Sequence, residues 1–257
     1  MKRILSAGMS AVWLAAAVSC AAPGGGDPAD EVSRKAVLGW GGDPGMGRLI
    51  VEFCGRSEPR VALVCAPSGD SRSAFDDARG MFAASSSRIG EIRLLGVGVT
   101  AGQLREQLKD VDIIWVCGGM TENLNNSGWT SILLPVLREA YDRGVVISGY
   151  SAGAICWTFA GYNDFSDGRY DLIPGCGFLP FYFCPHYQAW GAFDDRLDRE
   201  PGGAEYPDTA WALTDGAALL VVNGVPAPAF CDPAARAFRF DRSGVGWNRV
   251  EFAPETP

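Results

Sequence analysis

Histidine is all but missing from this 257-residue chain, where His186 stands alone. That scarcity excludes metal sites built on paired histidines, such as H-E-x-x-H. It also means that any proton transfer by an imidazole falls to His186. Basic residues are in deficit: 22 Lys and Arg face 30 Asp and Glu, for a formal net charge of -8. Nucleic-acid binding is excluded on that balance, because neutralising phosphates requires clustered Lys and Arg. Cysteine is present at 8 copies, but no two stand in C-x-x-C spacing, the common sign of a metal site. Several lie inside apolar runs, as at 62–65 and 115–117, and read as buried free thiols. After the amino terminus no apolar stretch reaches about 18 residues, the length of a membrane span. With 47% hydrophobic and 20% charged residues, the chain can bury a core, and its length suits one α/β domain.

The amino terminus has a pattern of its own. Lys2 and Arg3 precede an apolar, small-residue run over 4–22. A positive start, a short apolar stretch and a small-residue exit are the marks of a secretory signal peptide. Ala17-Val18-Ser19-Cys20 resembles a lipobox, so Cys20 is expected as a lipidated first residue and the only means of membrane attachment. Residues 23–34, rich in Gly and Pro, read as a linker. The alternative is a start codon placed upstream of a cytosolic protein. One domain is expected over 35–257.

From Lys35 onward, short apolar runs alternate with helix-like segments. The runs cover 36–40, 60–65, 89–95, 112–117 and 145–148, most of them closed by Gly or Pro turns. The helical segments cover 73–85, 101–108 and 129–142, each with apolar residues three and four apart. This alternation predicts a doubly wound, mostly parallel sheet flanked by helices. Functional groups are then expected at the carboxyl ends of the strands. Runs at 217–222, 227–231 and 237–240 predict extra short strands near the carboxyl terminus.

Gly149-Tyr150-Ser151-Ala152-Gly153 has the form G-x-S-x-G, between the strand at 145–148 and a helix expected over 152–158. That context suits a nucleophile elbow, a sharp strand-to-helix turn that lifts the serine oxygen above the sheet. The Ala152 N–H can serve an oxyanion there. Gly118-Gly119-Met120-Thr121 ends the preceding strand, and its glycine amides are candidates for a second donor. A serine of this kind needs a base, and His186 is the only imidazole. The base needs an orienting acid. Asp164, Asp167, Asp171, Asp194, Asp195 and Asp215 are all available, and spacing does not choose among them.

Together these pieces resemble the serine peptidase family of dipeptidase E and cyanophycinase, over residues 36–241. The matching segments are Gly118-Gly119-Met120-Thr121 for a G-G-N-T loop, Gly149 to Trp157 for the elbow, Phe183-Cys184-Pro185-His186-Tyr187, and Thr214-Asp215-Gly216-Ala217-Ala218-Leu219. The resemblance implies a fold like that of class I glutamine amidotransferases. It implies Ser151 as nucleophile, His186 as base and Asp215 as orienting acid, with Asp164 as the alternative. Gly119 and Ala152 would supply the oxyanion donors. Met120 and Thr121 would lie at the substrate, with Met120 in place of the family's usual Asn. The enzymes it resembles that cleave after an amino-terminal aspartate need a cation, for which Arg196 is the candidate. Such chemistry needs no metal or organic cofactor, and the implied partner is a small peptide. A cyanophycinase-like or β-aspartyl peptidase, and a non-catalytic binding protein on the same scaffold, are the rival readings.

Overall fold

The computed structural model describes residues 13–14, 32–39, 41, 43–85, 87–95, 98–244 and 246–255. Cys20 and most of the segments read as signal and linker lie outside these residues.

Four strands form the centre of the larger sheet: β2 (Lys35–Gly39), β3 (Arg60–Val64), β5 (Ile113–Val116) and β6 (Val146–Tyr150). They run parallel in the order β2-β6-β5-β3, and β4 (Arg88–Ile92) extends the parallel set beyond β3. Successive side chains of a strand face opposite ways. Ala36, Leu38, Ala62, Val64, Ile114, Val116 and Ile147 enter one core, and Val37, Val61, Leu63, Ile113, Trp115 and Val146 the other. Burial on both faces is why these strands read as unbroken apolar runs. β11 (Ala217–Val222) joins β2 antiparallel, followed by β12 (Val225–Phe230) and the two-residue β1 (Trp13–Leu14). β11 and β12 are two of the three short carboxyl-terminal strands expected from the sequence, with β1 added at their edge; the third expected run, 237–240, lies in a different sheet.

One face is covered by α1 (Pro44–Cys54) and α2 (Arg72–Phe82). α1 carries little helical signal in the sequence, because Gly45 and Gly47 weaken it. Its ends are nevertheless well specified: Asp43 accepts from the amides of Gly45 and Met46, and Gly55 closes the helix at φ 79°. Gly47 has a packing reason, since a Cβ there would lie 2.2 Å from the Met81 carbonyl oxygen of α2. The other face carries α3 (Ala101–Gln107), α4 (Thr121–Asn126) and α5 (Leu134–Asp142).

In addition to the single doubly wound sheet expected from the alternation of strands and helices, the same face also meets a second, six-stranded sheet. Its order is β14-β13-β10-β9-β7-β8, with β7 at Thr158–Asp164, β8 at Tyr170–Pro174, β9 at Leu179–Cys184, β10 at Thr209–Leu213, β13 at Ala237–Ser243 and β14 at Gly246–Phe252. Ile173, Phe181, Phe183 and Trp211 face the shared core. Tyr162, Tyr182, Ala210 and Phe240 face outward, under Phe193 and Leu197 of α7 (Phe193–Leu197). All seven described cysteines are free thiols, five of them buried.

Candidate active site

The elbow begins where β6 leaves the centre of the sheet. Ser148, fully buried, donates to the Ile114 carbonyl at 2.9 Å and receives Trp157 Nε1 on its own carbonyl at 3.1 Å. The strand end is therefore pinned from both sides. Ser151 follows at φ 53° and ψ -124°. A positive φ on a residue other than glycine costs on the order of 1–3 kcal/mol and persists only where the surroundings impose it. Here the imposing groups are backbone. A Cβ on Gly149 would lie 2.3 Å from the Gly153 carbonyl oxygen, and one on Gly153 would lie 2.0 Å from that of Val116. Only glycine fits at either position. Gly153→Ala should therefore lower unfolding stability by at least ~3 kcal/mol. Urea titration checks this as a fall in midpoint at unchanged slope.

The helix after Ser151 is shorter than expected. α6 spans Ala152–Ile155, and the chain then enters β7 instead of continuing helical to 158. The apolar run Ala154 to Trp157 fits either state, and packing against sheet and helix together decides it. Four residues give little macrodipole. What the turn does offer is the first-turn amide of Ala152, which donates no hydrogen bond among the described residues.

The Gly118–Gly119 loop lies against this turn. A Cβ on Gly118 would come 2.6 Å from Tyr150 and 3.2 Å from Ser151 Cβ, and one on Gly119 (φ 128°) would strike the Pro67 carbonyl at 2.4 Å. The Gly118 carbonyl accepts from Ser68 Oγ at 2.7 Å. In a trans peptide the C=O and the following N–H point opposite ways, so the Gly119 amide is turned away from Ser68. It too donates to no acceptor among the described residues. The turn at Ala66–Ser68 that braces this loop was visible in the sequence only as the end of a strand.

His186 and Asp215 arrive from the second sheet. β9 and β10 are parallel neighbours with Cys184 opposite Ala212. His186 lies two residues past the end of β9, and Asp215 two past the end of β10. The Tyr187 amide donates to the Leu213 carbonyl at 3.2 Å, tying the two strand ends together. Nδ1 of His186 is 3.0 Å from Asp215 Oδ1. A carboxylate only accepts, so a neutral imidazole here carries its proton on Nδ1, leaving Nε2 as the basic nitrogen. The Asp215 side chain is 64% exposed against 24% for His186, so water screens the pair more than it would a buried one. The turn holding Asp215 is clamped by Arg236, whose amide donates to Thr214 Oγ1 at 2.7 Å and whose carbonyl receives the Thr214 amide at 2.9 Å.

Other expected residues fall elsewhere. Asp164 lies exposed at the end of β7, paired in register with Tyr170, and makes no hydrogen bond with His186. The Thr121 hydroxyl is not presented to a ligand: it is fully buried and donates to Asn163 Oδ1 at 2.7 Å. Met120 beside it is 40% exposed. Arg196 is not free for a substrate carboxylate, because Asp171 and Glu200 both bind its guanidinium. Between Ser151 and His186 there is no hydrogen bond in this structure. Next to the elbow, Tyr150, Ser68, Cys117 and Asp77 help to line a cavity of about 180 Å³.

The family model for "Peptidase family S51" matches residues 44–225. The chain belongs to peptidase family S51. This S51 protein is 33% identical, over 183 residues, to "Uncharacterized peptidase YgaJ" of Bacillus subtilis (strain 168), a match covering 69% of this chain and 76% of that one. Among solved structures it resembles a peptidase from an acI-B1 Actinobacterium, with a TM-score of 0.61, 13% identity, and 87% of this chain and 98% of the other covered. A Listeria monocytogenes EGD-e protein described as a candidate peptidase E gives a TM-score of 0.55 at 15% identity, covering 76% and 98%. At these identities the structures support the mixed α/β fold alone. The family itself is one of serine peptidases, in keeping with the resemblance read from the sequence.

Proposed function

We propose that this S51 member is a serine exopeptidase of short peptides, with Ser151 as nucleophile, His186 as general base and Asp215 as its orienter. The observation that carries the reading is a serine held at positive φ between two obligate glycines, in a fold whose single histidine already holds a carboxylate through Nδ1. Ser151 Oγ adds to the scissile carbonyl as its proton passes to His186 Nε2. The Gly119 and Ala152 amides receive the oxyanion. The tetrahedral intermediate collapses, the imidazolium protonates the departing amine, and water then cleaves the acyl-enzyme by the same steps in reverse roles. The Ser151–His186 hydrogen bond forms as substrate fills the site, since such contacts are often loose without it. The cavity beside Tyr150 suits one residue, and the Asp77 carboxylate in its lining would attract a free α-ammonium, which favours exopeptidase action.

Cleavage after an amino-terminal aspartate is the preference that the resemblance implies. Its cation would have to be other than Arg196, which is ion-paired within the chain. The test is a panel of Asp-Xaa, Xaa-Asp, β-Asp-Xaa and uncharged dipeptides, with product amino acids quantified. Hydrolysis of at least one class is the expected result. Selective cleavage of β-Asp-Xaa would move the reading to the cyanophycinase-like alternative, and inertness toward every class would favour the non-catalytic one.

A further inference from the structure

The imidazole of His186 has an aromatic neighbour that the proposed triad does not use. Trp190 packs against it edge to face, with ring centroids 5.0 Å apart. The placement is local: the Ala189 amide donates to the His186 carbonyl, and this turn folds the next residue back onto the ring. Trp190 then reaches Tyr170 (6.1 Å) and Tyr162 (6.3 Å), and these two tyrosines stack on each other at 6.1 Å. Tyr162 is buried, whereas Tyr170 is 49% exposed and Trp190 half-buried. The result is an apolar shelf that starts at the proposed base and runs outward to solvent. The arginines flanking it are both engaged: Arg169 with Asp167 and Asp171, and Arg196 with Asp171 and Glu200.

We infer that this shelf, formed by Trp190 and Tyr170, selects an aromatic or large apolar side chain on the residue released as the free amine. The inference rests on the proposed serine mechanism and adds its leaving-group specificity. In that mechanism Nε2 must come within hydrogen-bond reach of the departing nitrogen. The residue carrying that nitrogen therefore lies over the imidazole, and its side chain reaches the ring packed against the imidazole. Aromatic side chains meet such a surface with favourable edge-to-face and offset contacts. A charged side chain there would find its flanking counter-ions already paired.

The experiment compares kcat/KM for dipeptides whose first residue is fixed at the best one in the panel and whose second is Phe, Leu, Ala, Asp or Lys. Wild type should favour Phe over Ala by about 10- to 100-fold, the range that burying such a side chain supports. In Trp190→Ala and in Tyr170→Ala the Phe-to-Ala ratio should fall by about fivefold or more, while Trp190→Phe, which keeps a ring, should retain most of it. Using a ratio cancels any loss of folded protein. A flat second-residue profile in wild type with hydrolysis that still requires Ser151 would overturn this inference alone. So would a Phe preference unchanged in both alanine variants. If no dipeptide is cleaved in a Ser151-dependent way, the serine mechanism falls and this inference with it.

Discussion

Ser151→Ala is expected to lower kcat by about 10⁴- to 10⁶-fold on whichever dipeptide the wild type cleaves best. The converted figure is roughly 5–8 kcal/mol of transition-state stabilisation. The size follows from what Oγ does in the proposed cycle. Without it there is no acyl-enzyme, and the remaining groups can act only on a water that the site is not built to hold. The fold should be untouched. Ser151 Oγ makes no hydrogen bond among the described residues, and the strain at the Ser151 backbone is imposed by the close backbone packing around Gly149 and Gly153, not by the hydroxyl. Alanine tolerates the positive φ no worse than serine does. Circular dichroism and the urea midpoint should therefore match wild type while turnover is lost. KM should change little, because the substrate contacts remain. Residual activity within about tenfold of wild type would remove Ser151 from the mechanism.

Asp215→Asn is expected to cost about 10²- to 10⁴-fold in kcat, with KM nearly constant. The carboxylate accepts from Nδ1 of His186 at 3.0 Å and so keeps the lone pair on Nε2. An asparagine can present its NH₂ instead. That would favour the tautomer with the proton on Nε2, which cannot take a proton from Ser151. The upper end of the range belongs to buried acids. Asp215 is 64% exposed, so part of its effect on the imidazolium is screened by water and the tautomer effect is the larger share. Asp164→Asn is the comparison, because Asp164 has no hydrogen bond with the imidazole. It should leave kcat within about twofold, as surface substitutions away from special contacts usually do. The reverse ranking of the two variants would reassign the orienter.

How much of this was legible in the sequence depended on whether the deciding contacts were local. β2, β3, β5 and β6 were readable because burial on both faces leaves no polar interruption. The elbow was readable because its glycines are forced by close approaches within a short stretch and to the neighbouring strand, 2.0 Å for a Cβ on Gly153. The second sheet was hidden. Thr158–Asp164 and Tyr170–Pro174 form a local hairpin. Leu179–Cys184, however, pairs in parallel with Thr158–Asp164 on one side and Thr209–Leu213 on the other, across long connections, and no local pattern announces such pairing. For the same reason, six acids stood open for His186 by spacing, and only the resemblance favoured Asp215. Their meeting is set by the register of β9 against β10, across 29 residues. Arg196 failed as a free cation for a related reason. Asp171, one of its two partners, lies on β8, and sequence distance gave no hint that they would pair. Trp190 carried no signal at all until the turn after His186 was seen to fold it onto the imidazole.

Covalent trapping shows most directly whether Ser151 is a nucleophile activated by His186. The folded protein is treated with a fluorophosphonate, and the adduct is located by peptide mass mapping. The expected result is one phosphonyl group per chain, on the peptide containing Ser151. It should be absent from Ser151→Ala and should form at least about a hundredfold more slowly in His186→Ala, the usual scale of general-base assistance. Labelling at another residue, or labelling at Ser151 with an unchanged rate in His186→Ala, would contradict it.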